Sequence, residues 1–187
     1  MIVDDVVKII KERLSEKRFI HSYNVMLKCE ELARIYGADI EQAKLIGISH
    51  DIAKELNVEE VLNYIADNNI DADEIEKDYV WLLHGKIGAY ICKKEFGYTN
   101  EMTRAIAIHT TGDANMTLLD KILFIADYMA DDISNEENEE EFKNIDRMVL
   151  DILNYKIKKT IEKGTITHIK SIIARNDIIS KMTDNEL

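Results

Sequence analysis

Residues 117–130 read TLLDKILFIADYMA. Thr117 and Asp120, three apart, are placed to cap a helix from Leu118 to about Ala130, because their side chains can satisfy N–H groups that the first turn leaves unpaired. The run Ile122 to Ala126 is wholly apolar and far too short to span a bilayer. Asp127 follows it, with Leu123 at i−4 and Phe124 at i−3 on the same helix face. A carboxylate turned inward must be paired or bind a metal, since isolated burial costs on the order of several kcal/mol. Taken alone, the residue leaves two readings open: a buried hydrogen bond or salt bridge, or a metal ligand.

Outward from this stretch the same period recurs. Val3, Val6, Val7, Ile10 and Leu14 mark a first helix. A second runs from about Arg18 to Tyr36 and stops at Gly37, a residue suited to the left-handed position that ends helices. Asp39 with Gln42, and Asn57 with Glu60, form capping boxes that open a third helix and a short fourth, the latter ending near Asp67. Residues 73–96 read as helical on both sides of a break near Gly85. Thr99 or Asn100 caps a helix running to His109. Ile145, Met148, Val149, Ile152, Leu153, Ile157 and Ile161 mark a long amphipathic helix ending at Gly164, and a last helix spans about 166–182. No window alternates with period two, so strands are not expected. The chain has no proline to interrupt these helices. The expectation is an all-α fold over residues 1–187, with a core at about 18–130 and C-terminal helices at about 142–183 packed on it.

The net charge is −12, of which residues 131–141 contribute −7 and residues 71–78 contribute −4. The remainder is nearly neutral and accommodates an anionic small molecule. It lacks the Lys/Arg stripe that nucleic-acid binding needs. The run 131–141 reads as a solvated loop. Cys29 and Cys92 form no CxxC and read as small core residues. The N-terminus carries acids where a signal peptide carries bases, so the expectation is a cytoplasmic protein with no membrane contact. A homodimer stays open.

There are five histidines. A lone helical histidine is more often structural than functional, and His168, without suggestive neighbours, reads so. An HD dipeptide such as His50–Asp51 gains meaning at a helix C-terminus, where both side chains can converge on one ion. Together, His21, His50, Asp51, His84, His109 and Asp127 supply four imidazoles and two carboxylates from five segments. That donor set suits iron, manganese or zinc. Six ligands exceed what one catalytic ion needs, so two ions sharing Asp51 is the natural count. Lys54, at i+4 from His50, could neutralise charge on a phosphate, or be a solvated helix-end lysine. Gly85 and Gly112 beside His84 and His109 suggest turns that bring both rings toward a shared centre.

The segments RFIHSYNV (18–25), SHDIAK (49–54), LLHGKIGA (82–89), AIAIHTTG (105–112) and LDKILFIADY (119–128) resemble, in order, those of the HD-domain metal-dependent phosphohydrolases. Within them the chain is similar to the bacterial symmetrical bis(5′-nucleosyl)-tetraphosphatases, which split diadenosine tetraphosphate into two ADP. The resemblance implies an HD-domain helical bundle and a nucleotide substrate. It implies one ion on His21, His50, Asp51 and Asp127 and a second on Asp51, His84 and His109, with iron first and manganese as the alternative. It places Asp51 and Lys54 in catalysis. Substrate contacts would come from Lys54, Arg18 and the turn Thr110, Thr111 and Gly112, whose hydroxyls and N–H groups would meet phosphate or ribose. One departure stands out: Ala130 and Ile133 occupy positions where that family carries an acid and an arginine. The alternatives are another HD phosphohydrolase, acting on nucleoside monophosphates or cyclic nucleotides, and a nucleotide-binding module without turnover.

Overall fold

A computed structural model describes residues 2–130 and 144–182; the acidic run 131–141, with Ile133, lies outside the described residues. Those residues form ten α-helices and no strand. They are α1 (Val3–Arg13), α2 (Glu16–Tyr36), α3 (Ile40–Ser49), α4 (Val58–Asn68), α5 (Glu74–Asp78), α6 (His84–Ile91), α7 (Asn100–Ile108), α8 (Leu118–Met129), α9 (Ile145–Glu162) and α10 (Ile169–Lys181). A 3-10 turn at Val80–Leu83 leads into α6, and a π turn at Cys92–Phe96 follows it.

The caps follow local chemistry. Asn57 with Glu60 and Thr117 with Asp120 make reciprocal capping boxes. At Asp39 only half of the expected box forms: its carboxylate accepts the Gln42 N–H, and nothing answers from Gln42 to the cap N–H. Thr99, rather than Asn100, caps α7. Helix α2 starts two residues before Arg18, because the Ser15 hydroxyl caps it while donating to Glu55. Helix α10 starts at Ile169, later than the apolar pattern suggests, with His168 as its cap.

The centre of the bundle is α2 against α3 and α8, with α6 and α7 closing the other side. Phe124, Leu123, Ile122, Ile46, Ile87 and Ile106 are fully buried between them. Truncating any one to alanine would cost about 2–5 kcal/mol. Helix α9 packs on α8, and α10 on α9. One contiguous buried cluster runs from Val3 to Ile178.

The chain breaks at Tyr79 and the 3-10 turn, ahead of His84, and not at Gly85. Gly85 lies inside α6, where a Cβ would stand 3.0 Å from the carbonyl oxygens of Ile106 and Ala107. Its role is close approach of α6 to α7. Gly112 does sit in a turn, with φ of 68°, a conformation that costs other residues strain.

Candidate metal centre and anion pocket

Three of the imidazoles stand at helix ends. His50 is the C-cap of α3, His84 is the first residue of α6, and His109 is the C-cap of α7. Each uses one device. The Nδ1 atoms of His50, His84 and His109 lie 2.8, 2.7 and 2.7 Å from the carbonyl oxygens of Gly47, Trp81 and Ile106, three residues back. A carbonyl only accepts, so a hydrogen sits on Nδ1 and Nε2 is the nitrogen turned toward the centre. A backbone partner on the far ring nitrogen is the usual way of fixing a ligating histidine.

The Nε2 atoms converge on Asp51, which is buried at the turn after α3. Asp51 Oδ1 lies 3.2 Å from His84 Nε2 and 3.6 Å from His109 Nε2. Its Oδ2 lies 3.4 Å from His50 Nε2. Asp127 Oδ1, from α8, is 3.2 Å from His21 Nε2 and 3.4 Å from His50 Nε2. The donors form two overlapping groups, His21, His50 and Asp127 on one side and His50, Asp51 and His109 on the other, with His84 joining the second through Asp51 Oδ1 and His109 Nε2. Asp51 presents one oxygen to each. All six residues singled out from the sequence are brought together here.

The arrangement fits a metal and lacks something without one. Asp51 Oδ1 and His50 Nε2 are buried with no hydrogen-bond partner among the described residues, a cost of about 1–3 kcal/mol for each uncompensated group. His84 Nε2 and His109 Nε2 lie 3.2 Å apart, lone pair against lone pair. Burial resists charging Asp51, yet the charge on His50 and the surrounding imidazoles hold its carboxyl well below the usual range. Burial likewise works against Asp127, and His21 and His50 outweigh it. Against burial, the two carboxylates raise His50 to about 10, whereas burial takes His84 down to about 4. The cluster requires positive charge at its centre. A divalent cation with imidazole and carboxylate donors meets that requirement.

A cavity of about 410 Å³ opens onto this centre, lined in part by Arg18, Lys54, Thr110, Tyr128 and Lys156. Arg18 Nη1 donates to Asp51 Oδ2 at 2.8 Å. Lys54 lies in the turn after α3, where its N–H donates to Asp51 O, so it is not on a continued helix. Its ammonium still reaches the centre, 3.2 Å from His84 Nε2 and 4.0 Å from Asp51 Oδ1. The turn after α7 forms as expected, but three of its donors are committed. Thr111 N–H and Gly112 N–H both donate to Ile108 O. The Thr111 hydroxyl donates to Gly112 O. Of the three residues, Thr110 lines the cavity.

Lys156, on α9, was not singled out from the sequence. The signal is the one that marks Asp127: a charged residue on an apolar stripe, at i+4 from Ile152 and i+3 from Leu153, both buried. His168 is buried and structural. Its Nδ1 accepts the Lys170 N–H, and its Nε2 faces Asp73 Oδ2 at 3.1 Å. The neighbouring Glu76 is already paired with Lys86. Both cysteines are buried, and burial pushes their thiols up, Cys92 to about 12, as expected of inert core residues.

An all-helical bundle that gathers four imidazoles and two carboxylates beneath a cationic cavity has the framework of a metal-dependent phosphohydrolase. The comparisons specify which. The family model described as HD domain matches residues 18–132, and the chain belongs to the HD domain family. It is 36% identical, over 67% of its length and 68% of the relative's, to the symmetrical bis(5′-nucleosyl)-tetraphosphatase of Bacillus subtilis. It is 29% identical, over 94% of both chains, to the protein of that name from Staphylococcus aureus. It also superposes, with a TM-score of 0.87 and 33% identity over 96% of this chain and 97% of the other, on a Clostridium acetobutylicum crystal structure described as a predicted HD superfamily hydrolase involved in NAD metabolism. No described helix is long and apolar enough to cross a membrane.

Proposed function

We propose that this HD-domain phosphohydrolase cleaves dinucleoside polyphosphates symmetrically, converting diadenosine tetraphosphate and one water into two ADP. The observation that carries the reading is the division of Asp51 between two imidazole groups, beside two unpaired buried donor atoms. His21, His50, Asp51 and Asp127 would hold one divalent ion; Asp51, His84 and His109 would hold a second. Iron is the first choice and manganese the alternative, on the softness of the donors. When bound, such ions supply Lewis-acid activation of the attacking water and neutralise charge on the phosphoryl oxygens.

The residues do the rest. The three Nδ1 bonds to backbone carbonyls keep the rings from turning, so the donors are in place before substrate arrives. Lys54 and Arg18, at the floor of the cavity, neutralise charge that builds on the non-bridging oxygens of the central phosphoanhydride. Thr110 borders the polyphosphate. No serine or cysteine nucleophile is needed, in keeping with two buried, protonated thiols. The relatives named as tetraphosphatases support the choice of substrate.

The test pairs metal analysis of protein purified without chelators with chromatography of products from a panel of nucleotides. ADP as the sole product of diadenosine tetraphosphate is expected. ATP plus AMP, or nucleoside plus phosphate from a monophosphate alone, would sink the proposal.

A further inference from the structure

The family match ends at residue 132, whereas the cavity over the metal centre does not. Its far wall includes Lys156, contributed by α9. The Lys156 stem lies along the buried stripe of α9, with its ammonium 4.7 Å from the centroid of the Phe124 ring. Nζ donates to Thr110 O at 3.1 Å. An ammonium has three donors, and this is its one hydrogen bond among the described residues. Burial disfavours the charged form, Asp127 favours it, and Lys54 opposes it. The net effect is a lowered pKa, and an anion entering the cavity would favour the charged form.

Its position differs from those of Arg18 and Lys54. Both of these rest on proposed metal ligands, Asp51 and His84. Lys156 contacts a backbone carbonyl of the cavity wall instead. Its ammonium therefore lines the cavity without a direct hydrogen bond to a proposed ligand. Tyr128 lines the same cavity, and its ring meets that of Tyr155, from α9, edge-on with centroids 5.7 Å apart.

We propose that Lys156 is a phosphate-seating residue of the active site, binding a phosphate of the substrate's polyphosphate chain beside the scissile pair. Helix α9 then forms a wall of the site and the cavity reads the length of the polyphosphate. This rests on the polyphosphate reading above, and the experiment separates the two.

Wild type, Lys156→Met and Lys156→Arg, each as the full chain with its metal, are titrated calorimetrically with inorganic tripolyphosphate. Metal content and turnover of diadenosine tetraphosphate are measured alongside. Met keeps the apolar stem over Phe124, and Lys156→Gln serves in its place should that variant fail to fold. The subsite requires tripolyphosphate affinity to fall about ten-fold or more in the uncharged variant, with bound metal unchanged, recovery in Lys156→Arg, and KM rising more than kcat falls. Tripolyphosphate binding through Lys156 without cleavage of any dinucleoside polyphosphate supports the subsite and ends the hydrolase reading. Equal tripolyphosphate affinity in wild type and Lys156→Met overturns the subsite, as does loss of metal in step with loss of affinity.

Discussion

Gly47 on α3 faces Met26 on α2 so closely that a Cβ at position 47 would stand 2.7 Å from Met26 Cα and 3.1 Å from Cys29 Sγ. The two helices that carry His21 and His50 meet across this contact, and the carbonyl of Gly47 also fixes the His50 ring. Alanine in a helix interior is better than glycine by about 1 kcal/mol. Here the obstruction is backbone and cannot swing aside, so overpacking of about 1–3 kcal/mol outweighs that gain. Gly47→Ala should lower the urea midpoint of unfolding and reduce bound metal in the folded fraction. An unchanged midpoint with full metal content contradicts the account.

Lys54→Ala should separate catalysis from metal binding. The ammonium approaches His84 Nε2 and Asp51 Oδ1, but the His84 ring is held by Trp81 O and Asp51 sits in the turn after α3. Turnover of diadenosine tetraphosphate should fall by about 10²-fold or more. Metal content by mass spectrometry should stay at the wild-type value. Loss of metal would make Lys54 a prop of the centre.

Most of the helices and all six proposed ligands could be read before any coordinates, for a physical reason. Helical period, capping pairs and a carboxylate after an apolar run are local signals carried within a few residues. The exceptions depend on distant partners. Gly85 looked like a breaker because nothing in its own segment shows that the α7 carbonyls lie 3.0 Å from its missing Cβ. The N–H groups of the Thr110–Gly112 turn looked available because their acceptor, Ile108 O, is set by the turn geometry. Lys156 lies 46 residues from Thr110, whose carbonyl it meets. Only the packing of α9 on α8 brings them together.

Asp51→Asn tests the shared carboxylate. The substitution keeps the shape and removes the charge that His50, His84 and His109 all face. It also removes the carboxylate to which Arg18 is paired. Activity should fall at least about a hundred-fold, and bound metal should drop with it. Wild-type turnover and metal in this variant would show that Asp51 bridges nothing.

The number of ions is the sharpest question the site poses. A single ion needs only His21, His50, Asp51 and Asp127. His84 and His109 would then be core histidines satisfied by their Nδ1 bonds to Trp81 O and Ile106 O. Their other nitrogens argue otherwise. Two buried Nε2 atoms 3.2 Å apart, both aimed at Asp51 Oδ1, hold lone pairs with no proton between them unless one ring carries a second hydrogen. For His84, burial above all disfavours that extra proton, with the neighbouring Lys54 ammonium acting the same way, and holds it near 4. A cation placed among the three atoms removes the conflict. A double His84→Ala, His109→Ala variant should therefore bind about one equivalent of metal where the wild type binds about two, and hydrolysis should be lost. The His21–His50–Asp127 group should survive, since its Nδ1 bond to Gly47 O and its place on α2, α3 and α8 are untouched. A wild type that binds one ion, with the double variant binding it equally well, would return His84 and His109 to the core and point to the chemistry of a single-ion phosphatase.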